Sequence, residues 1–301
     1  MPRPLLWLPW LLAVAPAFES EDAALRSKVE ALIAPLGSKV TVEVAFRDLE
    51  TDATCLIRAD EPIHPASTMK VPVMLEVYRQ AEAGKLSLDD RLTIKDEFAS
   101  LVDASPFRLD PKDDSELTLY QRLGETATIR DLVRLMITQS SNLATNLLVE
   151  KVSPGSTTAF MKELGADGLV VLRGVEDGKA FAKGLNNVGT ARGLMTVLGR
   201  LAEGTAVSKS ASDEMLGVLR VQKFHEGIPA GLPTDRGVTV AHKTGSITAG
   251  YHDAGVVEIP GRKPFVLVVM TRGIADEPVA HRLVASIARA AYDHVAGEAN
   301  R

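Results

Sequence analysis

The chain has 301 residues, of which 46% are hydrophobic and 24% charged, with 23 glycines and 16 prolines, a balance that excludes disordered and collagen-like chains. A chain of this length buries enough surface to fold without disulfides or a structural metal, and the single cysteine, Cys55, agrees with that. The net charge is −5 and the 34 lysines and arginines are scattered, which excludes a broad nucleic-acid-binding face.

The first 17 residues, MPRPLLWLPWLLAVAPA, carry a basic residue at Arg3, an apolar stretch from Leu5 to Val14, and small residues at Ala15 and Ala17. They read as a secretory signal cleaved after Ala17. The stretch is short for a membrane anchor and Pro9 interrupts it. No cysteine follows the cut, so lipid anchoring is not suggested, and Cys55 reads as a small buried strand residue.

Over 19–36 the apolar positions recur at helical spacing, and Gly37 is placed to end that helix. Residues 39–46 alternate and 54–58 follow a polar turn, so the two predict a β-hairpin. After Pro62 and Pro65, residues 67–84 are helical, which sets Ser67 at a helix N-terminus where free N–H groups favour negative charge. The middle, about 85–215, is rich in helix formers, with helices expected over 129–136, 142–149, 157–164 and 190–201. Strand patterns return at 238–243, 253–258 and 264–271, and a helix over 276–295 closes the chain. Strands at both ends around a helical block predict an α/β domain formed by 18–66 plus 216–301, interrupted by an all-helical domain over 67–215.

The six histidines form no H-E-x-x-H pair or Cys/His cluster, and neither a phosphate-binding G-x-x-x-x-G-K-[ST] loop nor a G-x-S-x-G elbow is present. No metal or organic cofactor is therefore expected. Three short patterns remain, each occurring once: Ser67-Thr68-Met69-Lys70, Ser140-Ser141-Asn142 and Lys243-Thr244-Gly245. A serine hydroxyl needs a base to become a nucleophile, and Lys70 returns to the same helix face as Ser67 one turn later. Lys70 serves as that base only after losing its proton, which burial and the positive charge of Lys243 favour. Alone, S-x-x-K arises by chance about once in a chain of this length, the serines and asparagine of the second pattern suit a helix cap, and Lys243 suits a solvated strand edge. Their order, on the elements each requires, argues for a functional set.

This trio resembles that of the penicillin-recognising serine hydrolases, and class A β-lactamases above all. The similarity runs from about Ala23 to Val295 and includes the flanks ITQSSNLATNLL and AHKTGSITAG. It implies an α/β (α+β) fold with a five-stranded antiparallel sheet, N- and C-terminal helices against it, and an inserted all-α domain, the site lying between. It implies a periplasmic or secreted serine β-lactamase acting on a small β-lactam or peptidoglycan-like substrate. The expected protein is a monomer, without nucleic acid and without stable membrane insertion once the signal is removed. By resemblance, Ser67 is the acylated nucleophile, Lys70 its activator and Ser140 the proton relay to the lactam nitrogen. Asn142 holds the acylamino group and Lys243, Thr244 and Ser246 the carboxylate. The N–H groups of Ser67 and Ser246 form the oxyanion hole.

The sequence departs from the family in three places. Ser141 stands where the family has Asp, a change expected in local hydrogen bonding. In the family's E-x-x-L-N, Leu185-Asn186 preserves the end, with Asn186 orienting the hydrolytic water, but Ala182 occupies the glutamate position. Glu176 or Asp177 upstream is the candidate replacement, against the simpler reading of E-D-G as a solvated turn. The acidic stretch 97–124 is either a border of the cleft or a surface excursion. Because the glutamate is displaced, a DD-peptidase or esterase, or a slowly deacylating penicillin-binding protein, stands as the alternative activity.

Overall fold

The computed structural model describes residues 21–298; the expected signal, 1–17, lies outside the described residues. The chain opens with α1 (Ala23–Ile33), capped by Asp22 Oδ1, which accepts from Leu25 N at 2.8 Å. The helix is shorter than its apolar periodicity, because the Pro35 turn and Gly37, at φ +78°, end it. Strands β1 (Thr41–Asp48) and β2 (Thr54–Ile57) form the expected hairpin. A 3₁₀ turn over Ala66–Met69 then leads directly into α2 (Lys70–Glu82), so Ser67 stands in the turn rather than in the helix.

Short strands β3 (Arg91–Thr93), β4 (Glu97–Ala99), β5 (Pro106–Arg108) and β6 (Thr126–Thr128) make two small ladders, β3 with β6 and β4 with β5. They precede α3 (Ile129–Thr138), α4 (Asn142–Val152), α5 (Pro154–Glu163), α6 (Gly178–Ala182), α7 (Ala191–Ala202) and α8 (Lys209–Arg220). Helix α8 runs across position 215 and packs on α3, α7 and the sheet. Strands β7 (Thr239–Ile247), β8 (Gly250–Glu258) and β9 (Phe265–Arg272) and helix α9 (Glu277–Glu298) finish the chain.

The five long strands form one antiparallel sheet in the order β2-β1-β9-β8-β7, which is the α+β architecture the resemblance implies. The chain's two ends therefore meet where β1 pairs with β9 over eight residues. The apolar run of β9 hides a period of two. Val266, Val268 and Met270 face the helical block together with Ala45, Ala241 and Ala254, whereas Phe265, Leu267 and Val269 face α1 and α9 with Val44 and Phe46. Small residues on the first face let the helices approach; bulky ones on the second fill the space under α9. Each fully buried Val or Leu contributes about 1.5–3 kcal/mol to this packing. Cys55 is fully buried in β2, and burial pushes its thiol up to about 12, so it is inert as a nucleophile.

Candidate active site

The 3₁₀ turn that carries Ser67 is held from two directions. Ala66 adopts φ +46°, a left-handed conformation of the kind that clusters where surrounding structure imposes it, and its N–H donates to His64 Nδ1 at 3.1 Å. His252 accepts from Thr271 N at Nδ1, which leaves its proton on Nε2 to donate to His64 O at 3.0 Å. Burial pushes His252 down to about 4, so this tie stays neutral. On the other side β7 approaches so closely that a Cβ at Gly245 would lie 3.0 Å from both Ser67 N and Thr68 N. The glycine of K-T-G is thus required by contact with the nucleophile's turn, not by a turn of its own.

Lys70 and Lys243 are both fully buried. Lys70 Nζ donates to Ser140 O at 2.6 Å, Asn142 Oδ1 at 2.9 Å and Ser140 Oγ at 3.1 Å. Lys243 Nζ donates to the same Ser140 Oγ at 3.1 Å and to Thr244 O at 2.8 Å. Ser140, at φ +57°, turns its hydroxyl between the two ammonium groups. Burial holds Lys70 down to about 7 against the opposing pull of Asp114 and Glu176, and burial together with Lys70 pushes Lys243 well below its ordinary range. The expected pairing of Lys70 with Ser67 is not made as a hydrogen bond: Ser67 stands in the 3₁₀ turn ahead of α2, and the three donors of the Lys70 ammonium are committed to Ser140 and Asn142. Loss of one proton frees a lone pair for the Ser67 hydroxyl.

Ser141 replaces the family's Asp with a helix cap: its buried Oγ accepts from Ala144 N at 3.2 Å and its carbonyl from Thr145 Oγ1 at 2.6 Å. Helix α4 then points two asparagines, one turn apart, at the opposite wall. Asn142 Nδ2 donates to Asp113 O at 2.9 Å and to Glu176 Oε1 at 3.4 Å. Asn146 Oδ1 accepts from Val175 N at 2.7 Å, and its Nδ2 donates to Val175 O at 3.0 Å. Asn146 went unrecognised in the sequence, although its spacing from Asn142 was the available signal.

That wall is a loop closed by the pairing of Val170 with Val188. Arg173 staples it, donating to Gly174 O, Leu185 O and Asn186 Oδ1. Asn186 lies outside the cavity lining and its amide oxygen accepts from Arg173; the neighbouring Asn187 reaches the lining, but its amide accepts from Leu172 N and Arg173 N and donates to Arg173 O, so it holds the loop together. The solvated-turn reading of E-D-G fails for Asp177 but describes Glu176, whose side chain is exposed to the open cavity. Asp177 is 3% exposed and caps α6, accepting from Ala180 N, Leu101 N and Ser100 Oγ at 2.8–3.0 Å. Burial opposes its ionisation, but these three donors outweigh it and hold the carboxyl below its usual range. Its hydrogen bonds leave it as a structural anchor. Glu176, at φ +63°, faces the cavity, and burial followed by Asp113 pushes its carboxyl up while Lys70 and Arg173 pull it down. Ala182 ends α6, exposed and off the lining. The stretch 97–124 borders the cleft: Asp113 and Ser115 line it, and Ser100 and Leu101 hold Asp177.

Together these walls enclose about 680 Å³, lined by Ser67, Ser140, Asn142, Glu176, Thr244 and Ser246 among others. The arrangement supplies a half-buried serine at a helix start, an amine poised to titrate near neutrality, a shared hydroxyl relay and a carboxylate across the gap. No cluster of potential metal ligands occurs among the described residues.

Residues 24–295 match the profile of the beta-lactamase enzyme family. A beta-lactamase of Streptomyces lavendulae is 27% identical over 260 residues, 82% of this chain and 80% of that protein. The crystal structure of a beta-lactamase from Sphaerobacter thermophilus superimposes with a TM-score of 0.76 at 26% identity, covering 90% of this chain and 96% of that one. A mutant of PBP-A solved as its acyl-enzyme complex with penicillin G gives a TM-score of 0.79 at 24% identity, over 93% and 98% of the two chains.

Proposed function

The chain belongs to the beta-lactamase enzyme family, and from that premise we propose that it hydrolyses β-lactams through a Ser67 acyl-enzyme, with Glu176 as the base of the second step. The observation that carries the first step is the Ser140 hydroxyl held between Lys70 and Lys243 beside the Ser67 turn. Neutral Lys70 takes the Ser67 proton as Oγ adds to the lactam carbonyl, whose oxygen gains its charge against the N–H groups of Ser67 and Ser246. The carbon–nitrogen bond breaks and Ser140 passes a proton to the departing nitrogen, drawing on the lysine pair. An incoming substrate carboxylate favours the charged form of Lys243, with the Thr244 and Ser246 hydroxyls beside it. Asn142 supplies its amide to the acylamino group.

In the second step Glu176 takes a proton from water, the hydroxide adds to the ester carbonyl, and Ser67 leaves with its proton restored. The placement of Glu176 supports this role: its carboxylate meets Asn142, which also holds Lys70, and partial desolvation with Asp113 nearby holds the carboxyl above its ordinary value. The loop therefore retains a base although the counted glutamate position is Ala182. Residues 1–17 act as an export signal in this reading, so the enzyme works in the periplasm or outside the cell, and no helix among the described residues is long and apolar enough to cross a membrane. A slowly deacylating penicillin-binding protein is the second reading, favoured by Ala182 and by the likeness to PBP-A. Nitrocefin turnover, with intact-protein mass spectrometry on the same samples, separates the two. Steady hydrolysis that Ser67→Ala abolishes supports the β-lactamase; a stable adduct without turnover supports the alternative.

A further inference from the structure

Beyond the K-T-G strand the cavity continues into an end that the acylation chemistry leaves unused. Strand register pairs Ser246 with Tyr251, so Tyr251 stands beside the residue assigned to the substrate carboxylate. Tyr251 is 3% exposed and lines the cavity, yet its hydroxyl has no hydrogen-bond partner. Its ring meets that of His281 edge-on with centroids 4.2 Å apart. His281 Nε2 also lacks a hydrogen bond and lies 3.4 Å from Glu277 Oε1. A side chain at position 227 would strike this corner, since a Cβ on Gly227 would lie 2.9 Å from Tyr251 Oη and 2.4 Å from Asp253 Oδ2.

The charge here is negative. Glu226 and Glu277 belong to the lining, and Asp253 lies behind, engaged with His242 Nδ1 and Ile228 N. Burial, with Asp253, Glu226 and Glu277 around it, pushes the Tyr251 hydroxyl far up, so it stays protonated and retains free lone pairs. Arg173 is the single arginine among the described lining residues, and its guanidinium is tied to Gly174, Leu185 and Asn186. A buried hydroxyl without a partner beside two carboxylates calls for a ligand that brings N–H donors and positive charge.

We propose that Glu226, Tyr251 and Glu277 form a subsite for a protonated amine carried by the substrate next to its ring carboxylate. An ammonium N–H donates to Tyr251 Oη, and the two glutamates supply the countercharge. The carboxylate on Lys243, Thr244 and Ser246 sets the spacing. The subsite rests on the β-lactam reading of the cavity, and it adds a preference for zwitterionic over singly anionic substrates.

The test uses the full chain carrying Ser67→Ala, so that binding is read without turnover. Two cephalosporins with the same acylamino side chain are compared by calorimetry, one with an ammoniomethyl and one with an acetoxymethyl group at the ring 3-position. The ammonium compound is expected to bind about tenfold more tightly at low salt, as two partly exposed ion pairs and one hydrogen bond allow. Added sodium chloride shrinks that ratio. Adding Glu226→Gln with Glu277→Gln brings it near one, and adding Tyr251→Phe instead lowers it several-fold. Equal affinity, binding of neither compound, or a ratio that the double substitution leaves intact overturns the subsite. Turnover of the acetoxymethyl compound by the unsubstituted protein is measured alongside. Its absence overturns the hydrolase reading, whereas turnover without a charge preference overturns the subsite alone.

Discussion

On one wall of the cavity, Ser67, Lys70, Ser140 and Lys243 stand at the start of α2, the turn before α4 and strand β7, at places fixed by helix and strand geometry. On the other wall, Glu176, Asp177 and Asn187 stand on the loop between Val170 and Val188, held by side-chain staples from Arg173 and Asn146. The first wall permits no change of spacing without moving a buried ammonium group. The second tolerates a change of length, because closing a loop of slightly different length alters its entropy little and the staples restore its shape. In the proposed mechanism Glu176 accordingly supplies the base from a position six residues ahead of Ala182.

The largest expected effect lies on the first wall. Ser67→Ala should lower kcat/KM for nitrocefin by at least about 10⁴-fold, with no penicillin adduct in the mass spectrum. Glu176→Gln tests the second wall: deacylation should slow by about 10²–10⁴-fold while acylation persists, so the adduct accumulates. Steady-state hydrolysis at the original rate would refute Glu176 as the base and erase the contrast between walls. Gly245→Ala presses a methyl group against Ser67 N and should reduce the acylation rate by about 10–100-fold in stopped-flow traces, with deacylation less affected.

The pH profile gives a smaller and more graded effect. Lys70 acts as a base when neutral and titrates at about 7, so acylation should rise with pH up to about 7 and level above it. Below that point the loss approaches about tenfold per unit. A flat profile from pH 5.5 to 8 would remove Lys70 from the role. The mildest prediction sharpens the division within the loop. Asp177→Ala, which removes three hydrogen bonds, should lower stability by about 1–3 kcal/mol in urea unfolding. Because the native carboxyl is held below its usual range, this contribution is present above the unfolded carboxyl's pKa and is lost as pH falls through the native one. Deacylation far slower in Asp177→Ala than in Glu176→Gln would reverse their assignments.

Much of the fold was legible because its signals are local. The hairpin of β1 and β2, the helices beginning at Ile129 and Asn142, and the closing helix follow from periodicity and caps. The short ladders of β3 to β6 were not, since three-residue strands carry too few alternations to register; helix α8 went unread although its Ser208 cap and the spacing of Met215, Leu216 and Leu219 are local signals. In the site, the short motifs named Ser67, Lys70, Ser140 and Lys243, and the sequence offered Glu176 or Asp177 for the missing glutamate without choosing between them; the folded loop turns Glu176 to the cavity, buries Asp177 and leaves Asn186 off the lining. Tyr251, Glu226 and Glu277 carried no motif at all.

The sequence by itself determined the opening hairpin, most of the long helices, the closing strands and helix, the family resemblance and the serine-lysine motif, because helical and strand spacing are properties of neighbours along the chain. Tertiary structure alone decided that Lys70 and Lys243 share one hydroxyl, that Asp177 is an anchor and Glu176 faces the cleft, and that Gly245 touches the nucleophile's turn. Those outcomes depend on burial and on contacts between residues far apart in the chain, such as Ser140 with Lys243 and Ser67 with Gly245, and the electrostatics of a buried amine depends on what the folded chain places around it.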